Sequence, residues 1–188
     1  MRMHVSVRTI ALSGMLTALS LVCIFLGSVL EFNTAFLLVL AAFLIGTVAA
    51  LGGVPAALCS FVATVILGCL LSPVKTYVLT FSLFVPYAVA CEYTAKTKTD
   101  KKRAVLVKAL VWWIWSAVCG FIFYLLAGVA GLTELMPEIM KDAHTAIKLG
   151  IVITALAVAW VITDIAYYAY RKEINGRLRN IFNKEERK

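Results

Sequence analysis

The stretch FNTAFLLVLAAFLIGTVAALGGVPAALCSFVATVILGCLLSPV, residues 32–74, lies between Glu31 and Lys75 and carries no charged side chain. Drawn as one α-helix at 1.5 Å per residue it would reach about 64 Å, roughly twice the 30 Å hydrocarbon core of a bilayer. An apolar run of that length has to fold back once. The tetrapeptide Gly52-Gly53-Val54-Pro55 is the place for it, because glycine ends a helix and proline suits the first turn of the next. The reading is therefore one helix over 35–51 and a second over 54–71.

Working outward, the whole chain has the same character. Of its 188 residues 62% are hydrophobic and 15% charged, far from the composition of a soluble domain. A bilayer accepts apolar surface on every outward face and needs about 20 apolar residues per crossing. A first crossing fits residues 9–30, preceded by Arg2 and Arg8. It is too long for the apolar core of a secretory signal and ends without a small-residue cleavage site, so it is expected to stay as a membrane helix. Residues 76–91 form a fourth helix despite Pro86, with Lys75 and Glu92 reaching outward from its ends. A fifth covers 109–130, with Trp112, Trp113 and Trp115 as an interfacial aromatic belt, and a sixth covers 149–170. The expected fold is an all-α integral membrane protein, a single domain over 1–188, made of a six-helix bundle with a basic tail at 171–188.

Charge orients the bundle. With six crossings, fifteen of the 18 Lys and Arg residues fall on one side: Arg2, Arg8, the six from Lys96 to Lys108 and the seven from Arg171 to Lys188. Only Lys75, Lys141 and Lys148 fall on the other. By the positive-inside rule both termini are cytoplasmic and the protein sits in the cell membrane. The net charge of +8 is then a membrane-facing rim that orients helices and attracts anionic lipid, and no nucleic-acid partner is expected.

The chemistry of an enzyme is missing from the sequence. The only histidines, His4 and His144, fall on opposite sides of the membrane in this topology, so no metal site is expected. No G-x-S-x-G, H-E-x-x-H or G-x-x-x-x-G-K-[ST] pattern occurs, which leaves no catalytic residues to name and no cofactor. The five cysteines, Cys23, Cys59, Cys69, Cys91 and Cys119, all fall in apolar runs without C-x-x-C spacing and read as small packing residues. Asp164 is the one acid inside an expected helix core. It reads either as a paired structural carboxylate or as a functional group in proton-coupled transport.

Residues 8–20, RTIALSGMLTALS, open the first helix with Gly14 and Ala18 four apart and Ala11 on an adjoining surface. Small residues at that spacing let membrane helices approach closely. With this length, helix number and orientation, the chain resembles the substrate-binding S components of energy-coupling factor (ECF) transporters, bacterial importers of vitamins and other micronutrients. In that family small residues on helix 1, typically alanines four apart, pack against a transmembrane coupling subunit; here Met15 stands where a second alanine after Ala11 belongs. The resemblance implies, besides the lipid bilayer, a small-molecule substrate, the coupling subunit and two cytoplasmic ATPases that supply the energy. It implies capture from outside, in a pocket under the outer loops. The polar candidates on that side are Glu31, Asn33, Thr34, Lys75, Tyr77, Thr80 and Tyr124, with Glu134, Glu138, Asp142, His144 and Lys148 in or beside the loop 131–148. Two other functions stay open: a membrane scaffold resembling the rod-shape protein MreD, and a small secondary carrier that uses Asp164.

Overall fold

Gly53 breaks the long apolar run with φ 83° and ψ 176°, a backbone conformation that L side chains rarely adopt and glycine adopts freely. The computed structural model of the chain describes residues 7–30, 33–97, 100–129 and 145–185, with side chains left out at 8–9, 123–129, 145–152 and 174–185. Within it the helices are α1 (Val7–Val29), α2 (Thr34–Leu71), α3 (Lys75–Lys96), α4 (Lys101–Val129) and α5 (Thr145–Glu185). The described residues contain no strand. All five helices include a stretch long and apolar enough to cross a membrane. α2 consists of two helical segments, before and after Gly53. Pro55 opens the second, where its missing N–H falls beside a ladder already broken.

Three helices are longer than the apolar runs suggest. α3 includes Lys75 and continues to Lys96, α4 begins at Lys101, and α5 extends from Thr145 through the basic residues to Glu185. The chain divides into two compact units, residues 1–130 with α1 to α4, and residues 131–188 with α5.

The core of the first unit is built around α2. Every residue from Ala41 to Ala49 is buried, which is possible for a helix only with neighbours on all sides. Leu38, Ala41, Ile45 and Val48 pack with Cys23 and Ile24 of α1 and with Val78, Phe81, Val85 and Val89 of α3. Ala57 joins the same cluster from beyond Gly53, and Phe61 and Val65 pack against it. Gly68 lets α2 and α3 approach closely, since a Cβ there would stand 3.2 Å from Val78 Cγ2. Outside the core the picture inverts. Ile10, Met15, Leu19, Val22 and Phe25 of α1 and Val105, Leu106, Leu110 and Ile114 of α4 are exposed, an apolar girdle suited to lipid and not to water.

Backbone groups freed at helix breaks find donors on neighbouring side chains, as an apolar solvent demands. The Lys75 ammonium donates to the Cys69 carbonyl and, at 2.8 Å, to the Ser72 carbonyl at the end of α2. The Lys96 ammonium donates at 2.7 Å to the Ala49 carbonyl, which lies four residues before non-helical Gly53. Pro86 lies inside α3 and cannot donate to the carbonyl four residues earlier, that of Ser82. Trp115 of α4 takes its place, with Nε1 donating to the Ser82 carbonyl at 2.7 Å. Between α1 and α2, Ser20 Oγ donates to the Ala41 carbonyl at 3.0 Å.

Two expectations need correction. Glu92 does not reach outward from the end of α3: it is buried, 3% exposed, and engages a partner, so Asp164 is not the only acid inside a membrane-crossing helix. The three tryptophans do not form an aromatic belt. Trp112 is 1% exposed against Tyr87 and Phe84, Trp115 packs on Phe61, and Trp113 alone faces outward.

Candidate functional site

The turn between α1 and α2 places the first of the outer candidates. Asn33 is exposed and left-handed, with φ 65°, a conformation its short polar side chain tolerates. It caps α2 through its backbone, whose carbonyl accepts from Leu37 N at 3.3 Å. Thr34 is half-buried, and its Oγ1 donates to the Leu30 carbonyl at 3.2 Å. At the start of α3, Lys75 is committed to the carbonyls that end α2. Tyr77 is half-buried against the core, and Thr80 Oγ1 donates to the Thr76 carbonyl at 3.0 Å. A cation spent on helix carbonyls is a poor first contact for a ligand; Asn33 and Tyr77 are the freer groups.

Glu31, Glu134, Glu138, Asp142 and His144 lie outside the described residues, and Tyr124 and Lys148 stand on helical backbone with side chains outside the description. Asp164 is half-buried in α5 and engaged with a partner. Among the described residues no group of His, Cys, Asp and Glu is arranged to hold a metal ion. Of the cysteines, Cys23, Cys91 and Cys119 are buried, while Cys59 and Cys69 face outward from α2.

The small residues Ala11, Gly14 and Ala18 in the first half of α1 are all exposed, and a Cβ built on Gly14 would meet nothing within 4 Å. The opposite side of the helix, at Ser20, Cys23, Ile24 and Gly27, is packed. Among the described residues of the first unit, one face of α1 thus serves the fold and the other is exposed.

A second polar feature lies between α3 and α4. Trp112 and Ser116 sit one turn apart on α4, 1% and 8% exposed, and among the described residues neither the Trp112 Nε1 nor the Ser116 Oγ has a hydrogen-bond partner. Phe84 and Tyr87 of α3 hold the Trp112 ring, with centroids 5.9 and 5.5 Å away. Reading the tryptophans as a belt hides this pair. Helical phase would reveal it, because positions 112 and 116 are four apart and share a face, whereas 113 does not. Comparison with protein-family models, with curated proteins and with solved structures finds no match.

Proposed function

We propose that this chain is the substrate-capture subunit of an ECF-type micronutrient importer, driven by partner ATPases through a transmembrane coupling subunit. The observation that carries the reading is the bare face of α1: Ala11, Gly14 and Ala18 point away from the packed core, with open space around Gly14. Among the described residues of the first unit nothing packs around Gly14, and close helix docking is what small residues in lipid provide. The reading takes six crossings, because α2 is too long to cross once and is divided at Gly53. Residues from both sides of Gly53 join one core cluster, which supports a fold-back there. Both termini and the basic rim then face the cytoplasm, and Asn33 and Tyr77 open toward the substrate side.

The test is co-purification from the native host in mild detergent. Wild-type protein should bring down a coupling subunit and a pair of ATPases. Gly14→Leu and Ala18→Leu should reduce that recovery at least about tenfold, the loss expected from displacing a packed helix by one large side chain. The melting temperature should stay unchanged, since Gly14 has no neighbour to displace. Repeated absence of ATPases from wild-type preparations overturns the reading.

A further inference from the structure

We infer that the start of α4 is a binding surface for one anionic phospholipid, whose phosphate sits on Lys101, Lys102 and Arg103 and whose acyl chains lie along Leu106 and Leu110. All five side chains are exposed. The other cations described in the first unit are occupied: Lys75 and Lys96 donate to helix carbonyls, and Lys108 engages a partner. Acids are scarce on the same helices. Glu92 is buried and engaged, which leaves exposed Asp100 beside the three cations. One carboxylate cannot balance them, so the surface calls for an anion from outside the chain. Nor do the three stabilise their own helix, since α4 carries no acid in its first turn and cations at a helix N-terminus oppose the dipole.

What lies beyond the cations selects the kind of anion. Leu106 and Leu110 stand three and seven residues after Arg103, the spacing that keeps side chains on one helix face, and they are 59% and 51% exposed. From Lys102 to Leu106 the helix rises about 6 Å. That matches the roughly 5–7 Å of headgroup region on each side of a 30 Å hydrocarbon core, so cations level with the phosphates bring Leu106 to the edge of the hydrocarbon. An occupant acidic at one end and apolar directly below it is a phospholipid. An acidic segment of a soluble protein would meet bare leucine there. Arg103 adds recognition beyond charge, because a guanidinium holds phosphate oxygens through two parallel N–H groups and an ammonium acts as a point charge. The inference requires membrane residence and does not rest on the capture reading.

The experiment is native mass spectrometry and thermal denaturation of the purified full-length protein in a mild detergent. It is titrated with dioleoyl phosphatidylglycerol or, as the counterpart without net charge, dioleoyl phosphatidylcholine. The wild type should retain one phosphatidylglycerol at concentrations where phosphatidylcholine is lost, and its melting temperature should rise with the anionic lipid alone. Lys101→Gln and Lys102→Gln should each weaken retention about fivefold, the equivalent of about 1 kcal/mol per cation at a lipid surface. Arg103→Lys conserves the charge and should still weaken retention by a similar factor, through the lost second N–H bond. Lys172→Gln, at an exposed cation of α5, should leave retention unchanged. Without lipid, all the variants should melt with the wild type, because the substituted side chains are exposed.

Five results overturn the inference. Equal retention of the two lipids by the wild type removes selection for an anion. Full retention in Arg103→Lys, with Lys172→Gln as damaging as Lys102→Gln, reduces the site to diffuse attraction by a charged rim. Displacement of the lipid by an equal concentration of glycerol 3-phosphate leaves the leucines without a role and makes the occupant a soluble anion. Unchanged lipid retention in the variants, with loss of a co-purifying protein, assigns the cations to an acidic partner. A lower melting temperature of the lipid-free variants at 101, 102 and 103 assigns them to the fold. None of these touches substrate capture, which is read from ATPase recovery with the α1 variants.

Discussion

Pro86 has no amide hydrogen, so the Ser82 carbonyl one turn earlier loses its helical partner, and α3 nevertheless runs unbroken from Lys75 to Lys96. The indole of Trp115 resolves this at 2.7 Å, and in lipid no solvent is available to substitute for it. Trp115→Phe keeps most of the ring contact with Phe61 and removes only the donor. It should cost about 1–3 kcal/mol, the penalty of orphaning a buried carbonyl. The partner experiment is Pro86→Ala, which returns an amide to the ladder and gives Ser82 a second donor. In that background Trp115→Phe should cost less by about 1 kcal/mol, read as a coupling energy from the four unfolding curves of the cycle. Equal costs in the two backgrounds would show that the indole serves something other than the carbonyl freed by proline.

Between elements, the hairpin register of α3 and α4 explains where the sequence could be read and where it misleads. Ser82 bonds Trp115 and Tyr87 touches Trp112, so the two helices run antiparallel and Glu92, further along α3, comes level with Lys108, one turn back on α4. A buried carboxylate needs a counter-charge or strong donors, and both Glu92 and Lys108 engage partners. The register predicts that they engage each other. Glu92→Gln and Lys108→Met should each destabilise, with a coupling of about 1–3 kcal/mol, between the values for exposed and fully buried pairs. The exchange Glu92→Lys with Lys108→Glu should recover much of the loss in denaturation measurements; additive costs would dissolve the pair. The sequence reading misses this because it takes charges as the ends of membrane helices. Lys75 and Glu92 therefore appear to bracket the fourth helix. In the fold Lys75 bends onto the end of α2 and Glu92 is internal, so the helix is longer at both ends. Gly53 was legible for the opposite reason: glycine followed by proline is a local signal that needs no tertiary partner.

At the scale of the molecule, what the sequence conveys is solvent preference, and what it conceals is pairing. Exposed Met15, Phe25, Ile114 and Phe121 follow directly from an apolar composition, so membrane residence was plain. The orphan pair at Trp112 and Ser116 depends on which helix lies opposite, and composition carries no such information. The long α2 joins the two levels. If it folds back at Gly53, Asn33 and Pro73 emerge on one side of the bilayer, while Gly53 and Lys102 emerge on the other. A straight α2 of 38 residues would span about 57 Å and place Asn33 and Pro73 on opposite sides. Single cysteines at 33, 52, 73, 102 and 172, in a background with the five native cysteines replaced by alanine, should label in two groups with a membrane-impermeant maleimide. Positions 33 and 73 should react from outside intact cells, and 52, 102 and 172 only after permeabilisation. Labelling of 33 and 73 from different sides would replace the fold-back with a straight helix. Labelling of 102 and 172 from different sides would leave the turn at Gly53 intact but break the even number of crossings, and a cytoplasmic face shared by both basic segments would go with it.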